Sequence, residues 1–168
     1  GDEILNGTLA ARGYEISDPM NLYLCETAPL RPASLPRAQS YCIWEPLHIM
    51  REIWAAGGIR DRRIALMHRV QTPKTALLAR SGDSPAGVGF LALDGEIAML
   101  HAVEVLPEFR RTGVAKKLMA EAAKWAEDHG AKYMALMTTR DNQAANRLYS
   151  SLGMRPVGHY HYRIKDTT

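Results

Sequence analysis

One change of hydrophobic period, between residues 106 and 113, constrains this chain more than any other feature. Before it, residues 74–80, 86–93 and 96–106 are three apolar runs of strand length, divided by Ser81-Gly82-Asp83-Ser84-Pro85 and by the hairpin signal Asp94-Gly95. They predict an antiparallel meander. After it, Val114, Leu118, Ala122, Trp125 and Ala126 recur at helical spacing over residues 113–129, with Lys116, Lys117, Glu121, Lys124, Glu127 and Asp128 on the other faces. Gly130 stands where a helix C′ residue belongs. Residues 132–138 then predict a strand, residues 142–152 a helix with Asp141 or Asn142 as N-cap and Gly153 as its stop, and residues 157–164 a last strand. Strand, helix, strand, helix and strand thus follow a meander.

Upstream, residues 46–56 and 61–70 also read as helical, with Pro46 at an N1-like position and Gly57-Gly58 as the break. The Pro-rich residues 29–36 are the best linker. Ahead of them, residues 9–14 and the strand-like residues 21–25 faintly echo residues 148–154 and 160–164. The chain is therefore divided into residues 1–36, a helix–strand segment with its linker that reads either as the tail of a degenerate earlier copy or as an ordinary helix and strand, and residues 37–168, the main domain.

Composition narrows the function. With 168 residues, 46% hydrophobic and 23% charged, there is material for one ordinary core. The net charge of +3 comes from 21 basic against 18 acidic residues without a basic tract, so a nucleic-acid arm is not expected. Cys25 and Cys42 form no CxxC or Cys/His cluster, which points away from a disulfide framework and from a metal, and toward a reducing, cytoplasmic setting. No window nears the roughly 18 to 20 apolar residues of a membrane helix, and Asp2, Glu3, Arg12, Glu15 and Asp18 break any signal-peptide core.

The chemistry is expected at residues 104–117. A strand ends at Pro107, and Phe109-Arg110-Arg111-Thr112-Gly113-Val114-Ala115 runs straight into the amphipathic helix, so unpaired N–H groups, a helix N-terminus and two guanidiniums gather there. Small residues at 113 and 115 let a phosphate approach the backbone. The stretch is neither a Walker loop nor a GxGxxG turn. Taken alone it also fits a plain strand-to-helix turn with surface arginines. In the following helix Asn142 and Tyr149 lie two turns apart, about 10 Å along the axis; singly, an N-cap and a core aromatic explain them as well.

Together these residues resemble a known family. Arg110-Arg111-Thr112-Gly113-Val114-Ala115 resembles the (Gln/Arg)xxGx(Gly/Ala) pyrophosphate loop of the GNAT superfamily of acetyl-CoA-dependent N-acetyltransferases, and Asn142 through Met154 resembles its NxxAxxLYxxxGF segment with Met for the final Phe. The match covers residues 99–154 and, through strand order, residues 74–98; residues 1–70 carry none. The resemblance implies a GNAT acyltransferase fold: a mixed central sheet splayed between its fourth and fifth strands, after the strand ending at Leu106, with helices on both faces. It implies acetyl-CoA as cosubstrate, with the pantetheine pairing with backbone at Val103 and Val105, the pyrophosphate on Arg110, Arg111, Thr112, Gly113, Val114 and Ala115, and Asn142 touching the pantetheine. By the same carry-over, Tyr149 protonates the leaving thiolate and the acetyl group passes directly to an amine in a ternary complex.

A primary amine with pKa near 10 is protonated at pH 7, and holding it neutral costs about 4 kcal/mol, so a base is expected. His101 is the candidate. Under regular alternation it shares a face with Met99, Val103 and Val105, and its position resembles that of a histidine in some arylalkylamine acetyltransferases. It also fits a structural histidine. Glu104 is the rival base, aimed at the opposite face unless a bulge redirects it; His159 and His161 are further candidates for touching the acceptor. Met99 and Met137 replace the catalytic glutamates of histone-type and ribosomal-protein-type members, which argues against those acceptors. The expected partners are acetyl-CoA and a small-molecule or peptide amine, with no metal, nucleic acid or membrane, in a monomer or homodimer. The rival reading is a non-catalytic acyl-CoA-binding or sensing module.

Overall fold

The computed structural model describes residues 2–30 and 39–165. In chain order the elements are α1 (Asp2–Ala11), β1 (Glu15–Glu26), β2 (Ser40–Ile43), α2 (His48–Ala56), α3 (Asp61–Arg69), β3 (Lys74–Ser81), β4 (Ser84–Asp94), β5 (Ile97–Val105), α4 (Val114–Asp128), β6 (Tyr133–Thr139), α5 (Gln143–Ser151) and β7 (Arg155–Ile164). The strands are hydrogen-bonded in the order β2-β3-β4-β5-β6-β1-β7, so β1 lies between β6 and β7. Of the Pro-rich stretch, Ala28–Leu30 forms a 3-10 turn and residues 31–36 lie outside the described residues. Pro46 is not at N1 as the sequence suggested: extended Leu47 is the N-cap, and α2 begins after it. The chain divides into two compact units, residues 24–136 and residues 1–23 with 137–168.

In the unit of residues 24–136, β2, β3, β4 and β5 form the antiparallel meander. Helices α2 and α3 bury Met50, Ile53, Trp54, Ile64 and Met67 against Ala76, Leu78, Val88 and Phe90 of one face. Helix α4 covers the other face with Val114, Leu118, Met119, Ala122, Ala123 and Ala126, all buried. It begins so close to β4 that a Cβ on Gly87 would stand 2.8 Å from Val114 Cγ1. β5 and β6 are parallel and paired only from Ile97↔Tyr133 to Leu100↔Leu136. β5 runs on to Val105 beyond the last of these pairs. With β1 set aside, β5 and β6 are the fourth and fifth strands, where the splay was expected.

In the unit of residues 1–23 and 137–168, the end of β6 meets β1 through the Arg140 N–H and the Pro19 carbonyl, 2.8 Å apart. Asn146 of α5 holds this unit together. Its Oδ1 accepts from Tyr23 Oη at 2.8 Å and Asn21 Nδ2 at 3.1 Å, and its Nδ2 donates to the carbonyls of Thr139, Arg140 and Asn142. From β7, Arg163 donates to Asn6 Oδ1 and to the Tyr14 carbonyl, each at 2.8 Å.

Candidate active site

The opened end of β5 is irregular. Phe90 pairs with His101 and Val88 with Glu104, so three steps along β5 oppose two along β4, the signature of a bulge. Ala102 carries the strain at φ +51°, and its carbonyl turns to accept from Trp54 Nε1 at 2.7 Å. Regular alternation is therefore overturned. His101 and Glu104 lie on the α2–α3 side with Phe90 and Val88, whereas Val105 faces α4 opposite Gly87. The bulge delivers both candidate bases to one face.

Glu104 is constrained. Its carboxylate lies against the backbone of Gly57 where a Cβ would collide with it, and Oε1 is 3.3 Å from Arg110 Nη2. Arg110 Nε donates to the Val105 carbonyl at 3.1 Å, so this guanidinium folds back onto the strand. His101 is half-buried with its pKa below the ordinary histidine value, first because burial penalises the charged imidazolium and second because Arg63 repels it. A histidine neutral at pH 7 is competent to accept a proton.

Past Val105, a 3-10 turn (Pro107–Phe109) leads into the loop before α4. Arg111 at φ +65° and Gly113 at φ +89° turn the chain so that the N–H groups of Arg111, Thr112, Gly113, Val114, Ala115 and Lys116 find no acceptor among the described residues. Thr112 Oγ1 is spent on the Phe109 carbonyl at 2.7 Å. The space over Gly113 is open: nothing stands within 4 Å of where its Cβ would be. Free donors, open space and a helix N-terminus fit a diphosphate.

The other unit carries the remaining candidates. Asn142 is the N-cap of α5, its Oδ1 accepting from the Ala145 N–H at 3.1 Å, which leaves its Nδ2 for a ligand. Tyr149 is buried, with its ring tilted against Tyr23 at 5.8 Å. Its hydroxyl makes no hydrogen bond among the described residues and is not sealed in, and burial pushes its pKa up to about 12. His161 Nε2 lies 2.9 Å from Asn6 Oδ1, which gives it a structural partner. Burial, with the help of nearby carboxylates, pushes the thiols of Cys25 and Cys42 up to about 11 and about 12. Among the described residues no cluster of three or more His, Cys, Asp or Glu could hold a metal, and no helix is long and apolar enough to cross a membrane.

Sequence reasoning missed Trp54, Asn146 and the arginines that follow Gly58. Tryptophan and asparagine read as ordinary core and surface residues there, since their partners are remote in sequence.

A parallel pairing that stops at Leu100 while its strand runs on to a row of free N–H groups is the layout of an acyl-CoA transferase fold. The chain belongs to the Acetyltransferase (GNAT) family, whose model matches residues 41–154. It is 28% identical over 100 residues to the uncharacterized N-acetyltransferase YobR of Bacillus subtilis (strain 168), covering 60% of this chain and 40% of YobR. Its fold is like that of a GCN5-related N-acetyltransferase from Kribbella flavida, with a TM-score of 0.66 at 22% identity over 94% of this chain and 62% of that one. It is also like the aminoglycoside N-acetyltransferase AAC(6')-Iy in complex with CoA, with a TM-score of 0.58 at 18% identity over 76% of this chain and 99% of that one. The chain thus spans well under two thirds of YobR.

Proposed function

We propose that the chain is an acetyl-CoA-dependent N-acetyltransferase that passes the acetyl group directly to an amine. The observation that carries the reading is the run of β5 past its last β6 partner into the unsatisfied N–H groups of residues 111–116. Acetyl-CoA supplies the thioester and, with it, the acetyl group. The free N–H groups of the loop hold its diphosphate, Val103 and Val105 offer strand backbone to its pantetheine, and Asn142 Nδ2 donates to it.

His101 takes the proton from the incoming amine, directly or through water. Glu104 is held by Arg110 instead. Tyr149 donates a hydrogen bond to the departing sulfur. Full proton transfer from a phenol near 12 to a thiolate whose conjugate acid lies near 8.5 is uphill by about 5 kcal/mol, so Tyr149 acts as a donor that shares its proton while solvent completes the transfer. The raised thiol pKa values of Cys25 and Cys42 favour direct transfer over an acyl-cysteine route.

The test is a thermal melt with acetyl-CoA, followed by thiol release over a panel of amines. Stabilisation by acetyl-CoA with amine-dependent release of CoA is expected. Absence of any stabilisation overturns the reading.

A further inference from the structure

A cleft of about 500 Å³ opens between the α2–α3 turn and the β5 bulge, lined by Gly58, Ile59, Arg60, Arg62, Arg63 and Ala102. Three of its six lining residues are arginines and none is acidic. Among the described residues Arg60, Arg62 and Arg63 have no ion-pair partner. The acids nearby are already engaged: Asp61 by Arg51 at 3.2 Å and Glu104 by Arg110 at 3.3 Å. The positive field reaches the strand, because Arg63 opposes protonation of His101, the neighbour of Ala102. Like charges around one open space repel each other, and no side chain of the cleft relieves them.

We propose that the acceptor is a small amine that also carries an anionic group, a carboxylate or a phosphate, seated on Arg60, Arg62 and Arg63 with its nitrogen toward His101. This rests on the acetyltransferase reading above and names its substrate class. Guanidiniums take either anion through paired N–H donors, and the cleft is of small-molecule size. The same cations disfavour an ammonium beside them and so promote the neutral amine that attack requires. A polycation would meet uncompensated repulsion here, which sets this acceptor apart from an aminoglycoside.

The experiment measures product-like probes by calorimetry, on the protein alone and with saturating CoA. The probes are N-acetyl-L-aspartate, N-acetyl-O-phosphoethanolamine, the uncharged diamide of N-acetyl-L-aspartate, and N-acetylputrescine. At least tenfold tighter binding of one or both anionic probes than of the diamide is expected, and whichever binds tighter identifies the anion. That advantage is expected to disappear in Arg62→Gln/Arg63→Gln while CoA affinity stays unchanged. Equal affinity for charged and uncharged probes, preference for N-acetylputrescine, no binding of either anion, or an advantage that survives the double substitution overturns the proposal. If CoA does not bind but the anions still do in an arginine-dependent way, the acetyltransferase reading fails and the anion site stands.

Discussion

The indole N–H of Trp54 donates to the carbonyl of Ala102 at 2.7 Å, joining the core of α2 to the one residue of β5 held at a left-handed φ. The strained residue is thus fixed from outside its own strand, and the bulge it makes sets where His101 and Glu104 lie. Without that bond, regular pairing would return Glu104 to the α4 face, against Val114.

Trp54→Phe deletes the donor and part of a fully buried ring. The unmet carbonyl and the new cavity are each worth about 1–3 kcal/mol, so a loss of about 2–6 kcal/mol in urea unfolding is expected. Turnover should fall beyond what the lost stability explains, because the bulge positions His101. Unchanged turnover in the folded fraction would detach the bulge from catalysis.

His101 gives a pH dependence of fixed sign. Burial and Arg63 lower its folded pKa, so in the unfolded chain it takes up a proton at a higher pH, near 6.5. Its contribution to stability is complete above about pH 6.5 and is lost as pH falls from there through the folded pKa. Urea midpoints should drop over that window and flatten in His101→Gln. The acid limb of kcat/KM should also disappear in this variant, with the largest rate loss near neutral pH, where the amine most needs a base.

Tyr149→Phe keeps the ring against Tyr23 and removes a hydroxyl that has no partner among the described residues, so stability should change by less than about 0.5 kcal/mol. A hydrogen bond to a charged group contributes about 1.5–3 kcal/mol, which corresponds to a fall in kcat of about 10- to 100-fold with acetyl-CoA affinity retained. Normal kcat would remove Tyr149 from the mechanism.

At Gly113, φ of +89° makes any side chain costly even though the space above is open, so a bulky β-branched substitute would strain the fold as well as the cradle. Gly113→Ala should cost about 1 kcal/mol and weaken acetyl-CoA binding at least tenfold, since relaxing φ turns the N–H groups away. Gly130→Ala has nearly the same φ, +86°, and equal space at the far end of α4. It should carry the strain without the binding loss. Equal acetyl-CoA affinities in the two variants would show that the cradle tolerates the change.

Asn146→Ala removes the acceptor shared by Asn21 and Tyr23 and the donor to three carbonyls. A destabilisation of about 2–4 kcal/mol is expected by thermal unfolding. Asn142→Ala should cost only about 1 kcal/mol, the usual worth of an N-cap.

Strands β3, β4, β5, β6 and β7 and helices α4 and α5 were legible because each repeats a local period over seven or more residues, whereas the four-residue β2 was not read. The loop before α4 was legible for the same reason, since small residues at a strand-to-helix change mark where backbone is exposed. The bulge was not, because Ala102 is neither Gly nor Asn and its conformation depends on Trp54, 48 residues earlier. The arginines at 60, 62 and 63 pass for a solvated helix start until the fold sets them around a cleft beside Ala102. Nothing local in residues 15–26 shows that they pair between two strands made far later.

That place of β1 imposes a timetable. Asn21 and Asn146, hydrogen-bonded in the folded chain, are 125 residues apart. At about 5–20 residues per second, ribosomal synthesis separates them by roughly 6 to 25 s. Throughout that interval the early strand has emerged and its neighbours have not. The unit of residues 1–23 and 137–168 is therefore a late, non-local closure, slow by contact order, and until it forms the edge of β1 is an aggregation hazard that a chaperone or rapid completion of the chain must cover.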